Sequence, residues 1–338
     1  MQAEQRGKRQ RQGRRWLSRR QFAKAAVAAV LLPEQLAAQK LSDRPITIVV
    51  PFTAGTGIDL LARICGEELQ QRWGQAVTIE NRPGASGNIG SQYAATRPPD
   101  GHTIMMTVNT FVMNVSLFKS VPYDPQKSFA PIVEVAVGSL ALAVHPSVAA
   151  PSAAALVALA KADPGKITYA SPGRGTPQHL AMELFKLTAQ VDLVHVPYSG
   201  SAGAVRDLVG GHVGAMFIPL HTVLPLANDR QVRLLAVGSE QRSPLAPEVP
   251  TFAEEGLAGI NIDLWYALLA PADTPADIIG RYNRTLNDIL STPKIRDALA
   301  VQGLSARGGS PADLAQLIAS EQARWAKVVR DAGIAPAE

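Results

Sequence analysis

Two short stretches carry the groups with which this chain could act on another molecule. Residues 51–63 read PFTAGTGIDLLAR and residues 170–184 read ASPGRGTPQHLAMEL. Each follows a strand-like run, ITIVV at 46–50 or ITYAS at 167–171, and each leads into apolar residues at helical spacing. A loop of small residues between a strand and a helix leaves backbone N–H groups without intrahelical partners, and the helix dipole adds partial positive charge there. Anion binding is the chemistry that follows. The hydroxyls of Thr53, Thr56, Ser171 and Thr176 add donors. Hydrogen bonds to a charged group contribute about 1.5–3 kcal/mol each. The dipole contributes about 0.3–1 kcal/mol, so amides and hydroxyls outweigh it.

The kind of anion is narrowed by what the loops lack. Neither matches GxxxxGK[ST], and the first is not GxGxxG. The first loop has no cation and the second has only Arg174. A carboxylate fits that charge better than a phosphate. Arg174 either pairs in bidentate fashion with a second carboxylate or faces water, and both readings stay open. Asp59, in the first turn of its helix, stabilises that turn, fixes the loop or meets an amino group on the ligand. His179 either braces its loop or binds. Asn109 and Asn114 flank a strand end in VNTFVMNVSL, within reach of a cleft or simply forming a turn. Ser86 invites comparison with a hydrolase nucleophile, but GASGN lacks the GxSxG spacing. The six histidines show no metal-ligand spacing. The expectation is no catalytic residue, no metal and no cofactor.

These loops need elements to hold them. Strand and helix signals alternate along the chain, which argues for an α/β fold with sheets covered by helices. FAPIVEVAVGSLALAVHP (129–146) is too long for one ordinary strand and reads as a crossing between two domains, with a return near 236–247. That places 39–141 plus 240–338 in lobe 1 and 142–239 in lobe 2, one loop in each, with a hinge and a cleft between them. Helix punctuation is clear at Gly74, at Ser152 and at Ser310-Pro311.

The 338 residues are 46% hydrophobic, enough for a sizeable core. The net charge of +5 sits at one end. Of 33 basic and 28 acidic residues, nine and two lie in 1–38, leaving 24 and 26 in the remainder. The body is slightly acidic and has no basic stripe with interleaved aromatics, which argues against nucleic acid. Residues 1–38 run from basic residues through SRRQFAK to AAVAAVLL and LAAQ, the order of an export signal cleaved after Ala38. SRRQFAK is similar to a twin-arginine signal, so the mature chain is expected in the periplasm. Cys65 is the only cysteine, which forbids an intramolecular disulfide and reads as a buried structural thiol.

Seven stretches in order, PFTAGTGIDLLAR, IENRPGASGNIG, VPYDPQKSFAPI, YASPGRGTPQHL, VDLVHVPYSGSAGAVRDLVGGHV, VPTFAEEG and WYALLAPADTP, resemble the Bug family. These are periplasmic solute receptors of tripartite tricarboxylate transporters. The resemblance spans about 44–333. It implies a two-lobed, type II-like periplasmic-binding-protein fold, with mixed sheets flanked by helices and a cleft between lobes that closes on a small carboxylate. It points to Phe52, Thr53, Ala54, Gly55, Thr56 and Asp59 around the first loop, and to Ser171, Gly173, Arg174, Gly175, Thr176 and His179 around the second. It adds Ser86 and Tyr198 as wall candidates, and Asn109 joins them at the cleft. The first loop departs from the family's Pro-Gly-Gly-rich form, and Ile218, Pro219, Leu220 and His221 replace its acidic and amide residues. The expected partners are permease subunits of the transporter, or alternatively a membrane sensor kinase, with the receptor itself a monomer.

Overall fold

Strand β1 (Ile46–Val50) is almost wholly buried because ITIVV offers five β-branched residues to a two-sided environment. The chain then turns through 51–56 into helix α1 (Gly57–Trp73), strand β2 (Val77–Asn81), helix α2 (Asn88–Ala95), strand β3 (Thr103–Val108) and helix α3 (Thr110–Leu117). In this computed structural model the described residues are 41–337, so the export-signal expectation for 1–38 lies outside them. Both β2 and β3 pair parallel to β1. Helix α1 buries Ile58, Leu61, Ala62, Cys65, Leu69 and Trp73 along one face, against Ile46, Ile48 and Ile104. Its end is set by Gly74 in the left-handed region, φ 59°, whose N–H reaches the carbonyl of Gln70. Burial pushes the Cys65 thiol up to about 12, with Glu68 adding to the effect, so it stays a protonated packing group.

The long apolar stretch forms one 16-residue strand, β4 (Phe129–Val144). It changes partners along its length. From Phe129 to Ser139 it pairs antiparallel with β9 (Asp263–Pro271), and Glu134–Gly138 also pairs with β10 (Leu304–Gly308). From Leu140 to Val144 it pairs instead with β7 (Ala215–Pro219) and β8 (Arg233–Val237). Between these come helix α4 (Ala153–Ala162), strand β5 (Thr168–Ser171), helix α5 (Pro177–Ala189), strand β6 (Val194–Pro197), helix α6 (Ser201–Val209) and helix α7 (Leu220–Asn228). Helices α8 (Ala276–Leu290), α9 (Pro293–Val301) and α10 (Pro311–Asp331) complete the chain.

The sheet order is β2-β1-β3-β9-β4-β7-β5-β6, curled and flanked by helices. Its ladders are mixed: β5 is parallel to β6 and β7, whereas β4 is antiparallel to every partner. The order β2-β1-β3 recurs as β6-β5-β7, so β1 and β5 occupy equivalent central places. Two stretches differ from the sequence reading. Residues 110–117 are helical, where a strand end was expected, and 304–308 form a strand that the sequence reading did not assign. In the first case TFVMNVSL follows β3 directly and buries Phe111, Val112 and Met113 in the core. In the second, LSARG pairs with the free edge of β4. Helix α10 begins with a reciprocal capping box between Ser310 and Asp313. It returns the chain to α3, where Ala337 N donates to Leu117 O at 2.7 Å and Lys119 N to Ala337 O at 2.9 Å.

Candidate functional site

A cavity of about 760 Å³ lies between the two βαβ units. Phe52, after β1, and Ser86, before α2, line it from the first unit, with Thr110, Asn114, Leu117 and Phe118 from α3 and its end. Arg174, Gly175, Thr176, Pro177, His179, Glu183 and Lys186 line it from the second unit, with His195 of β6. The C-terminal segment closes it with Ala332 to Ala335 and Ala337. His179, Glu183 and Lys186 share one face of α5 by their spacing of four and three residues.

The second loop is tightly braced. Gly175 has φ 75°, open only to glycine without strain, and a Cβ there would meet Leu117 Cδ1 at 3.2 Å. Gly175 N donates to His179 Nδ1 at 3.1 Å, and His179 N to Thr176 Oγ1 at 3.4 Å. The second contact caps α5, whose first helical position is Pro177. Ser171 is fully buried, with its Oγ 2.7 Å from His195 Nε2 and accepting from Gly173 N at 3.2 Å. His179, His195 and Tyr169 form a stack, with centroids 4.1 Å apart for the two imidazoles and 4.7 Å for His195 and Tyr169. Burial, and then the charges of Arg174 and Lys186, depress His179 to about 4. Burial, His179 and Arg174 do the same to His195, also to about 4. Both rings are therefore neutral at neutral pH. Beneath them Tyr169 donates to Glu183, and Lys186 Nζ lies 3.1 Å from Glu183 Oε1. Burial first, then Glu183, pushes the Tyr169 hydroxyl up.

The first loop is braced from within. Asp59 is 2% exposed and accepts from Gly55 N at 2.9 Å, Asn81 Nδ2 at 2.9 Å and Arg63 Nε at 2.9 Å. Burial alone would raise this carboxyl, but the Arg63, Gly55 and Asn81 hydrogen bonds outweigh it and hold it below its ordinary value. Thr56 Oγ1 donates to Thr53 O at 2.8 Å, and no side chain caps α1. Thr53, Ala54 and Gly55 are exposed, and none of 53–56 is in the cavity lining.

Four of the loop amides expected to be unpaired have partners within the protein. Gly55, Gly173 and Gly175 each donate to a side chain of their own unit, and Thr176 N donates to Gly173 O at 3.4 Å. Short polar side chains reach their own backbone across such turns more readily than a ligand does. Of the residues singled out from sequence, Phe52, Ser86, Asn114, Arg174, Gly175, Thr176 and His179 meet in the cavity. Thr53, Ala54, Gly55, Thr56, Asp59, Asn109, Ser171, Gly173 and Tyr198 lie outside its lining. Asn109 is fully buried, its Nδ2 3.4 Å from Asp263 O and its Oδ1 without a partner. Tyr198 donates to Asp207 Oδ2 at 2.6 Å, which, ahead of burial, raises its hydroxyl to about 12. Ala85 and Ser86 both hold positive φ, 46° and 54°, a strained pair at the cavity wall. Among the described residues no group of three or more His, Cys, Asp or Glu side chains could hold a metal ion.

Residues 61–334 match the family described as tripartite tricarboxylate transporter family receptor. The chain belongs to that receptor family. This receptor is similar to protein BugT of Bordetella pertussis, 35% identical over 310 residues, 91% of this chain and 94% of that protein. It is similar to the structure of R. palustris Rpa4515 with adipate, at 36% identity and TM-score 0.74 over 87% of this chain and 99% of that one. It is also similar to MatC (Rpa3494) from Rhodopseudomonas palustris with bound malate, at 29% identity and TM-score 0.70 over 85% and 99%. The fold and family are those of solute-binding receptors. No described helix of the receptor is long and apolar enough to cross a membrane.

Sequence reasoning missed Glu183, Lys186 and the segment 332–337 as parts of the receptor's cavity. The polar stripe 179/183/186 on an otherwise apolar helix was available as a signal for the first two. Nothing local marks 332–337, whose place depends on the length and path of α10.

Proposed function

We propose that this receptor captures a small carboxylate in the cavity between its two βαβ units and presents it to the membrane subunits of a tripartite transporter. The supporting observation is that Phe52 and Ser86 of one unit and Arg174, Gly175, Thr176 and His179 of the other, more than 80 residues apart in sequence, line one cavity. Arg174 is the charged anchor and Ser86 lends a hydroxyl from the other unit, while Thr176 Oγ1 donates to Gly173 O at 2.8 Å and holds the second loop. Asp59, Ser171, Gly173 and Tyr198 hold the two loops in shape. The lobes are 39–141 plus 240–338 and 142–239, and ligand binding shifts the equilibrium toward a closed form that the permease recognises. The mature chain reaches the periplasm through the twin-arginine signal of 1–38 and works as a monomer without a cofactor. It binds rather than catalyses: Ser171, although 2.7 Å from His195 Nε2, is fully buried and outside the cavity lining.

Native mass spectrometry of the protein purified without added ligand, followed by calorimetric titration with carboxylic acids, tests this reading. A charge-assisted hydrogen bond is worth about 1.5–3 kcal/mol, so Arg174→Gln should weaken the best acid by about ten- to a hundredfold. Failure of every acid to bind, or an unchanged affinity in Arg174→Gln, would overturn it.

A further inference from the structure

The ionisable side chains that line the cavity are Arg174, His179, Glu183, Lys186 and His195. Lys186 is matched by Glu183 at 3.1 Å, and that pair is mostly buried, with side-chain exposures of 20% and 10%. Both histidines are neutral at neutral pH. Among the described residues Arg174 has no ion-pair partner, so the cavity holds one uncompensated positive charge. Leu117 and Phe118 at the end of α3, with Ile334, Ala335 and Ala337 of the C-terminal segment and Phe52, give the cavity an apolar wall, while Ser86, Thr110 and Asn114 also line it with polar groups. Ile334 and Phe118 pack on the buried core, and Ala337 bridges Phe118, which fastens this wall in place.

We infer that the site selects a monocarboxylate with an apolar body, its carboxylate on Arg174 and its body against the wall formed by the end of α3 and the C-terminal segment. The inference rests on the reading of this cavity as the ligand site. A second carboxylate seated on that wall would meet no cation and no side-chain hydrogen-bond donor. A cavity of about 760 Å³ leaves room for a chain or ring beyond the carboxylate. The adipate and malate of the two solved relatives are both dicarboxylates, so this chain departs from them in charge count.

The test compares hexanoate with adipate, which differ only in the second carboxylate, and adds phenylacetate and malate, by calorimetric titration of the mature chain at pH 7.5. Hexanoate or phenylacetate should bind at least about tenfold more tightly than adipate or malate. Ala335→Lys places a second cation at an exposed, cavity-lining position and should reverse the order of hexanoate and adipate. Adipate or malate binding as tightly as the monocarboxylates, or an unchanged order in Ala335→Lys, overturns the inference while leaving a carboxylate receptor. Absence of binding by all four acids overturns both.

Discussion

The imidazole rings of His179 and His195 lie stacked, with centroids 4.1 Å apart and planes 19° from parallel. Two such rings cannot both carry charge cheaply, and burial together with Arg174 already disfavours either one charging. On the proposed reading, anion binding at this site draws on Arg174 and not on an imidazolium. Ligand affinity should be constant within about threefold from pH 5 to 8, whereas an imidazolium anchor would tighten binding as pH fell through about 6.5. Calorimetric titration across that range decides between them.

The same two residues shape stability. Their folded values of about 4 lie below the ordinary 6.5, so the contribution is complete above pH 6.5 and is lost as pH falls toward 4. Glu134 and Asp263 oppose this: burial raises them to about 7 and about 6, so their contribution is present at low pH and fades as pH rises. The total slope is a difference, and a variant isolates one part. Between pH 7 and 5, His179→Gln should lose about 1–2 kcal/mol less stability than the unaltered protein, read by chemical denaturation.

Gly175 and Gly55 occupy similar backbone conformations in different surroundings. A Cβ on Gly175 meets Leu117 across the cavity at 3.2 Å, while one on Gly55 meets nothing within 4 Å. Each alanine replacement carries a left-handed strain of about 1–2 kcal/mol. Gly175→Ala should also weaken ligand binding by about tenfold or more, and Gly55→Ala should leave it within about threefold. Equal losses in both, measured by titration, would show that the first loop touches the ligand directly.

Asp59 acts as the keystone of the first loop, accepting from Gly55, Arg63 and Asn81. Asp59→Ala leaves the Gly55 and Asn81 donors without their partner and should cost about 2–4 kcal/mol, seen as a lower denaturation midpoint. Because the folded carboxyl is held below its ordinary value of 3.8, its contribution is complete above that pH and is lost only as pH falls below it. The effect of the variant should therefore be the same at pH 6 and pH 8.

Glu183 balances Lys186 at the cavity floor. Glu183→Gln keeps an acceptor for the Tyr169 hydroxyl and removes the negative charge. Adipate should then gain about tenfold in affinity, while hexanoate changes by less than about threefold. A parallel change in both acids, in the same titrations, would place Lys186 away from the bound ligand.

Much of the architecture was written in local chemistry. A β-branched run marked β1; Gly74, Ser152 and the Ser310-Pro311 pair marked helix ends; and the repeated strand–loop–helix plan of 46–63 and 167–185 marked two equivalent units. Such features depend on backbone freedom and on burial of nearby side chains, which a sequence displays directly. Strand β10 escaped because LSARG has little strand character of its own and forms only where β4 offers an edge.

The site divides in the same way. The sequence by itself determined which loops stand at the ends of β1 and β5, and that Arg174 would bring the one cation of either loop. Only the tertiary structure decided that the amides of Gly55 and Gly175 serve Asp59 and His179, that Lys186 spends its charge on Glu183, and that residues 332–337 return to wall the cavity. The physical reason is that a hydrogen-bonding group is satisfied by whichever partner the fold brings within about 3 Å, and that distance is not encoded at any one position in the chain.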